Sequence, residues 1–205
     1  MALTEREGWL LNFYRNSELH GALLMGRLAR TVKRDDLLEI SERLGFNQTL
    51  PFDVPASVGS LELPFNDLEF ARAAAGFGGS RLTPIGAAHI TYAIALGGMA
   101  GRMRLVKSHG DWEASKEREL TTRIMKANTA WRLTRMMEVT VHSGTSLDAF
   151  TAPNGRSYLG SIRIAGKTGT LSEGENSTYS WFTGFAPSRN PKVVVTVLLE
   201  NSTVW

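Results

Sequence analysis

The sequence predicts an α+β fold in which helices flank an antiparallel sheet. Apolar residues recur at helical spacing through much of residues 1–150, and three β-type segments follow one another within residues 156–201. Consecutive strands joined by short turns pair antiparallel, and the helices must cover a face of the sheet that they form. At 205 residues, with 42% apolar and 21% charged residues, the chain is long enough for a single domain with a core. We interpret residues 1–205 as that domain, mainly helical over 1–150.

The first half of the helical part alternates helices with loops. Apolar spacing predicts a helix within residues 4–30 and a short amphipathic helix over 35–44, which Gly45 would close. Prolines and turn-forming residues predict a loop over 47–66, and residues 67–78 return to a helix or turn. In the short helix, the side chains expected to point inward are Leu37, Leu38 and Ile40.

Two longer helices follow. Thr83 and Pro84 are typical of a helix start, with threonine as N-cap and proline at the first helical position; the helix should run to about residue 96, before two glycines. Polar residues 99–115 are predicted to be irregular, and residues 117–141 to form the longest helix. Its predicted inward face comprises Leu120, Ile124, Ala127, Trp131, Thr134, Met137 and Val141.

Three strands are predicted at the carboxyl end. Residues 161–170 alternate apolar and polar side chains, and residues 179–186 are rich in aromatic residues. A tight turn over 187–191, with a proline at each end, leads into residues 193–199. That last run is continuously apolar and β-branched, so we expect a strand buried on both faces.

Composition argues against several classes of protein. The chain has no cysteine, hence no disulfide or thiolate metal site, and its four histidines form no HExxH-like pair, so we expect no metal site. Basic residues are scattered despite the net charge of +3, which gives no indication of a nucleic-acid partner. The amino terminus does not resemble a signal peptide, and the longest apolar run, residues 193–199, is too short to span a bilayer.

The sharpest motif is Ala-Gly-Lys-Thr-Gly-Thr at residues 165–170. A phosphate-binding loop would need a glycine at position 161, which is serine, and a helix after the motif, where an aromatic strand is predicted instead. The other interpretation is the Lys-Thr-Gly motif of penicillin-binding proteins and serine β-lactamases. Three residues alone are a weak match, and a glycine-interrupted strand with an exposed lysine would also explain them.

The surrounding segments make the resemblance more specific. Residues 164–170, 181–187 and 193–201 are similar to three successive strands of penicillin-binding transpeptidases. Leu-Thr-Pro at 82–84, after Phe-Gly at 77–78, resembles the family's Thr-Pro-Leu helix. Residues 95–98, 137–145 and 37–46 follow in the family's order, so the resemblance covers roughly residues 20–201. It implies a β-lactamase/DD-peptidase-like fold and the carboxy-terminal part of a transpeptidase domain.

The resemblance also implies roles for four residues. Lys167 would place an ammonium beside the nucleophile and attract a substrate carboxylate, which the hydroxyl of Thr168 would bind. Gly169 would let a peptide ending in D-Ala-D-Ala, or a β-lactam, lie against the strand edge as an added strand. The backbone N–H of Thr170 would be one of two oxyanion-hole donors. The implied substrates are peptidoglycan stem peptides and β-lactams, and the implied reaction is serine acyl transfer without a metal or cofactor.

The family's nucleophile motif, Ser-x-x-Lys, does not occur in these 205 residues, because none of the six lysines has a serine three positions before it. Without that serine no acyl-enzyme can form. The family's Ser-x-Asn motif should lie near His20-Gly21-Ala22, which keeps neither polar group. Tyr14 and Asn16 form a Tyr-x-Asn alternative a few residues out of register, for which a surface helix is the competing interpretation.

We therefore expect a truncated domain whose sheet is incomplete and has an exposed apolar face. One function hypothesis is a transpeptidase module of the periplasmic side of the cell envelope, active only if a missing amino-terminal segment or partner protein supplies the nucleophile. The other is a non-catalytic, degenerate fragment that acts as a structural or protein-interaction module. The sequence does not separate transpeptidase, carboxypeptidase and β-lactam sensor.

Overall fold

The computed structural model describes residues 31–74, 76, 79–110, 112–113, 120–173 and 177–202. The helix predicted within residues 4–30 lies outside these residues. The chain divides into two compact units. The first unit contains Gly59–Arg81 and the described residues up to Asn47, and the second contains Gln48–Val58 and the described residues from Leu82 onward.

The first unit contains helix α1 (Arg34–Arg43), strand β1 (Gly59–Leu61), helix α2 (Asp67–Ala74) and the first two residues of strand β2 (Ser80–Leu82). β1 and β2 form a two-stranded sheet. Both predicted helices are confirmed, and Gly45, with a φ of 95°, follows α1 as expected. The prediction of a loop over 47–66 was wrong at residues 59–61, which form strand β1. The inward face of α1 was also wrong, because Leu38 and Ile40 are exposed while Ser41 is buried.

The second unit begins its regular structure with helix α3 (Pro84–Ala95), whose start and end match the sequence prediction. The Thr83 hydroxyl accepts a hydrogen bond from the Gly86 N–H at 3.0 Å, as an N-cap does. Gly97 and Gly98 follow the helix with positive φ, a conformation that favours glycine. Gly86 is required by packing, since a Cβ there would lie 2.2 Å from the carbonyl oxygen of Val58.

Short strands replace part of the predicted irregular segment and of the longest helix. They are β3 (Met99–Gly101), β4 (Ser108–His109), β5 (Trp112–Glu113) and β6 (Leu120–Arg123). β3 pairs antiparallel with β6, and β4 with β5. The helix predicted from residue 117 therefore begins later, as α4 (Ala127–His142), because pairing with β3 overrides the helical pattern of residues 120–123. A short helix, α5 (Leu147–Phe150), follows it.

Helix α4 buries a face that matches the predicted one only in part. Its buried residues are Ala130, Met137, Glu138 and Val141, which share a face at helical spacing. Trp131, expected on this face, is 62% exposed because it lies about 100° around the helix from Ala130. Only the carboxyl half of the predicted face, Met137 and Val141, is correct within the helix.

Three long antiparallel strands form the sheet at the carboxyl end: β7 (Ala165–Glu173), β8 (Ser177–Ala186) and β9 (Val193–Ser202), in the order β7-β8-β9. β7 begins later than the predicted strand, and the β8–β9 turn falls where predicted, beside a cis peptide bond at Pro187. On one face of the sheet, Met137, Ala165 and Phe185 form a buried cluster against which Ile94, Ala95 and Val194 pack. The predicted α+β class, with helices on an antiparallel sheet, is confirmed.

The prediction that β9 is buried on both faces was wrong. Val194 packs against the core cluster, and Thr196 bonds to Thr183 on the face covered by α3. The alternate residues form the opposite, exposed face of the strand; Val193, Val195, Val197 and Leu199 are 54%, 46%, 42% and 58% exposed. We call these four residues the β9 apolar face.

Candidate functional site

Strand β7 carries the four predicted site residues and forms one edge of the three-stranded sheet. Side chains alternate along a strand, so Lys167 and Gly169 lie on one face, and Thr168 and Thr170 on the other. Lys167 and Thr170 are exposed, whereas Thr168 and Gly169 are partly buried. The Lys167 ammonium donates a hydrogen bond to the carbonyl oxygen of Thr168, which keeps the charged group close to the strand. β7 therefore presents a cation and two hydroxyls at an accessible sheet edge.

The Thr168 hydroxyl is held by a second hydroxyl from another element. Its Oγ1 lies 2.7 Å from the Oγ1 of Thr145, in the turn between α4 and α5. Gly144 allows the tight turn, because a Cβ there would lie 2.8 Å from the Cα of Thr140. The Ser146 N–H donates to the Thr140 carbonyl oxygen and fixes the same turn. Thr145 therefore restricts the orientation of the hydroxyl that the family resemblance assigns to carboxylate binding.

The two glycines of β7 have different reasons to be glycine. A Cβ at Gly166 would lie 2.6 Å from the Phe182 ring, so packing within the sheet requires glycine there. A Cβ at Gly169 would meet only Trp181, at 3.4 Å or more, which is ordinary van der Waals contact. Folding alone therefore does not require glycine at position 169. The space left there is open to a ligand that approaches the strand closely.

A chain of three hydrogen-bonded threonine hydroxyls connects α3, β8 and β9 beside Lys167. Thr183 is the cross-strand partner of Lys167, and its Oγ1 lies 2.7 Å from that of Thr91 on α3 and 2.8 Å from that of Thr196 on β9. Thr91 is almost fully buried. Each hydroxyl can donate one hydrogen bond and accept others, so the chain satisfies polar groups that burial would otherwise penalise.

The other face of β7 and β8 packs against the α4–α5 region. The rings of Phe150 and Phe182 are 5.6 Å apart between centroids and inclined at 48°. Val141 approaches the same place, 3.2 Å from where a Cβ of Gly166 would be. These contacts anchor the segment that carries Thr145 beside the strand that carries Thr168.

The Ser-x-Asn letters at residues 188–190 have a structural explanation. Ser188 is buried, and its hydroxyl donates to the Glu138 carboxylate on α4 at 2.5 Å. Arg135 also bonds to that carboxylate. The serine thus connects the β8–β9 turn to α4 and has a structural role.

The remaining candidates are not all within the described structure. Tyr14, Asn16 and His20 lie outside the described residues, as do the phenylalanine and glycine at 77–78. In the part of the chain that the structure describes, no three His, Asp or Glu side chains are grouped as metal ligands. No helix among the described residues is long and apolar enough to cross a membrane.

Sequence reasoning missed Thr145, Thr183 and Thr91 as parts of the site. Gly144 and Thr145 were recognised only as a segment in the family's order. The only local signal was a glycine followed by a threonine at the end of a long amphipathic helix. That signal does not identify Thr168, 23 residues away, as the partner of Thr145. The hydroxyl chain depends on pairing between distant elements and has no local signal.

A family model described as "Penicillin binding protein transpeptidase domain" matches residues 22–203, most of the chain. The chain belongs to the penicillin-binding protein transpeptidase family. The family inferred from the Lys-Thr-Gly segment and its neighbouring segments is therefore confirmed.

Two curated relatives of this transpeptidase family are peptidoglycan D,D-transpeptidases by name. MrdA of Haemophilus influenzae is 39% identical over 79 residues, covering 31% of this chain and 11% of MrdA. PbpA of Mycobacterium tuberculosis is 30% identical over 131 residues, covering 58% of this chain and 24% of PbpA. The chain thus matches about a quarter or less of the length of these relatives.

Solved transpeptidase structures share the fold. The imipenem acyl-enzyme complex of M. tuberculosis penicillin-binding protein A matches with a TM-score of 0.72 and 26% identity, over 87% of this chain and 40% of that one. The transpeptidase domain of Burkholderia pseudomallei penicillin-binding protein 3 matches with a TM-score of 0.69 and 22% identity, over 90% of this chain and 54% of that one. The latter likeness concerns the fold alone.

Proposed function

We propose that this chain is the substrate-strand portion of a peptidoglycan transpeptidase and binds D-Ala-D-Ala peptides or β-lactams along the edge of β7. The observation that carries the proposal is the position of Lys167, Thr168, Gly169 and Thr170 at an accessible sheet edge. The acyl-enzyme complex of the M. tuberculosis relative supports the ligand class. The envelope location follows from the same proposal, since stem peptides and their cross-links lie there.

The site offers the groups that such a ligand needs. The Lys167 ammonium and the Thr168 hydroxyl can bind the terminal carboxylate, and hydrogen bonds to a charged group are stronger than neutral ones. Thr145 lies 2.7 Å from Thr168 and helps to orient its hydroxyl. The open space at Gly169 allows the ligand backbone to approach β7 as an added strand.

The chemistry of acylation needs a serine that this sequence does not supply in a Ser-x-x-Lys motif. Lys167 lies on the substrate strand, where its charge can stabilise an anion without providing a nucleophile. We therefore propose that these 205 residues bind ligand without acylation. Acyl transfer would require the nucleophile from another part of the protein or from a partner.

Calorimetric titration of the chain with a peptide ending in D-Ala-D-Ala tests the binding step. The same peptide ending in L-Ala-L-Ala is the control ligand, which should not bind. We expect saturable binding of the D,D-peptide alone. The double variant Lys167→Ala, Thr168→Val should weaken it more than about tenfold, because two hydrogen bonds to a charged group are removed. Lys192→Ala is the control variant, since it removes an exposed lysine near the start of β9.

Labelling with a fluorescent penicillin, read on a denaturing gel, tests the acylation step. We expect no β-lactam-blockable band from the folded chain. A band would mean that a nucleophile lies within these residues and would contradict the second half of the proposal. Failure of the D,D-peptide to bind, with the fold intact by circular dichroism, would instead favour the non-catalytic interaction module.

A further inference from the structure

Helix α4 lies beside strand β7, and two contacts join them near the candidate site. Val141, in the last turn of the helix, lies 3.2 Å from where a Cβ of Gly166 would be. The Thr145 hydroxyl, just beyond the helix end, lies 2.7 Å from that of Thr168. The contacts follow the same order along both elements, so a displacement of α4 along β7 would separate the two hydroxyls. The position of the helix therefore decides whether Thr145 can orient Thr168.

A buried carboxylate holds α4 three residues before Val141. Glu138 is 5% exposed, and its carboxylate accepts hydrogen bonds from the Ser188 hydroxyl, at 2.5 Å, and from the Arg135 guanidinium. A carboxylate buried to this degree is strongly unfavourable without donors. The Glu138 side chain is therefore restricted to the place where both donors reach it.

Ser188 is in turn fixed by the main chain that leads into β7. Its N–H donates to the carbonyl oxygen of Arg163 at 2.7 Å, two residues before the strand begins at Ala165. Ser188 thus connects the segment entering β7 with the Glu138 carboxylate on α4. Both connections are hydrogen bonds, which tolerate only small changes in distance and angle, so they specify a position more sharply than apolar contacts do.

Thr145 follows the position of α4 although it lies beyond the last helical residue. The Ser146 N–H donates to the carbonyl oxygen of Thr140 at 3.0 Å and closes the turn back onto the helix. From Glu138 to the helix end at His142 the helix is continuous, over roughly 6 Å. A displacement of the helix at Glu138 is therefore carried to Thr145.

We propose that Glu138 and Ser188 are positioning residues for the ligand site on β7. By joining α4 to the segment entering β7, they hold Thr145 within hydrogen-bond distance of Thr168. The effect on ligand binding rests on the proposed function, whereas the positioning itself is a property of the chain without ligand. The two parts can therefore be tested separately.

Methyl NMR spectra of the ligand-free chain test the positioning. Ser188→Ala removes only the hydroxyl, and we expect it to shift the methyl signals of Thr145 and Thr168. Thr134→Val is the matched control, because it removes a hydroxyl of the same helix whose hydrogen-bond acceptor, the Ala130 carbonyl oxygen, is also in α4. Unchanged Thr145 and Thr168 signals in Ser188→Ala would overturn the proposal and would mean that the network holds only the β8–β9 turn.

Two substitutions of Glu138 separate its hydrogen bond from its bulk. Glu138→Gln still offers an oxygen to the Ser188 hydroxyl and should leave the Thr145 signal close to its original position. Glu138→Met has a similar length but no such acceptor and should shift that signal as Ser188→Ala does. Equal shifts in both variants would contradict the proposal. If the methionine variant does not fold, Ser188→Ala compared with Glu138→Gln gives the same decision.

Calorimetric titration with the D,D-peptide measures the consequence for binding. Ser188→Ala should weaken binding about threefold in the original chain and have no further effect in Thr145→Val, because it acts through Thr145. The same loss in both backgrounds would mean that Ser188 acts by another route and would overturn the positioning role. If the original chain does not bind the peptide, the proposed function fails, while the methyl signals still decide whether Glu138 and Ser188 position Thr145.

Discussion

The two outer strands of the same sheet differ in the side chains that they expose. β7 exposes Lys167 and Thr170 and holds the Thr168 hydroxyl against Thr145, with a glycine that the fold does not require. β9 exposes four aliphatic side chains and no charge between Lys192 and Glu200. One outer strand therefore exposes a charge and hydroxyl groups, and the other exposes apolar surface whose burial would be favourable.

The shared central strand explains how one small sheet supports both edges. β8 contributes Phe185 to the buried cluster and Thr183 to the hydroxyl chain. Neither outer strand contributes as much to burial. The rigidity of both edges depends on β8 and on the helices behind it, which the following changes would test from the largest effect to the smallest.

Phe185→Ala should lower the free energy of unfolding by about 3–5 kcal/mol, because it removes a fully buried ring from the core cluster. Val197→Ala, on the exposed face of β9, should cost less than about 1 kcal/mol. Chemical denaturation measures both. Equal costs would mean that the outer face of β9 is buried in solution. Phe185→Leu gives a graded version if the alanine variant does not fold.

Gly166→Ala and Gly169→Ala compare two glycines of the same strand. The first should cost about 1–3 kcal/mol of stability, since its Cβ would collide with the Phe182 ring. The second should leave stability nearly unchanged but reduce binding of the D,D-peptide, because the methyl group occupies the space left for the ligand. Thermal melting and calorimetric titration give the two readouts. Unchanged binding for Gly169→Ala would contradict the proposed ligand position.

Thr145→Val should cost about 1 kcal/mol of stability, since it removes one partly exposed hydrogen bond to Thr168. We also expect a modest loss of peptide affinity, because the Thr168 hydroxyl is no longer oriented. Thr145→Ser keeps the hydroxyl and should recover both properties. A valine variant that binds the peptide as well as the original chain would show that Thr145 has only a structural role.

His89 gives the smallest expected effect, a change in the pH dependence of stability. Burial lowers the pKa of His89 below its ordinary value of 6.5. Below that pH the unfolded chain binds more protons than the folded one, so stability should fall as the pH decreases from about 7 towards 5. His89→Gln should flatten this slope in denaturation curves. An identical slope in the variant would assign the pH dependence to other groups.

Sequence reasoning succeeded where local chemistry determines the structure. The Thr83–Pro84 helix start, the glycines after α3 and the proline-flanked β8–β9 turn all depend on neighbouring residues alone. The position of Lys167–Thr170 on a strand also followed from the local pattern and the family resemblance.

Sequence reasoning failed where contacts with distant segments override the local preference for helix or strand. Residues 120–123 look helical, yet they pair with β3, and the apolar run of β9 does not reveal that only one of its faces is covered. The burial of α4 was misjudged at Trp131 because the helical period alone does not show that the preceding residue, Ala130, is the one that points inward. For the same reason Thr145 could not be recognised as the partner of Thr168: their bond depends on how α4 packs beside β7.

The hydroxyl chain of Thr91, Thr183 and Thr196 has a consequence for how these positions can vary in evolution. Replacing one threonine by valine keeps the shape but removes at least one hydrogen-bond partner from a neighbouring hydroxyl, whereas replacing all three removes every polar group of the chain at once. The single change is therefore the unfavourable intermediate between two acceptable states. The three positions, on a helix and two strands far apart in sequence, should therefore co-vary: a substitution at one of them favours substitutions at the other two.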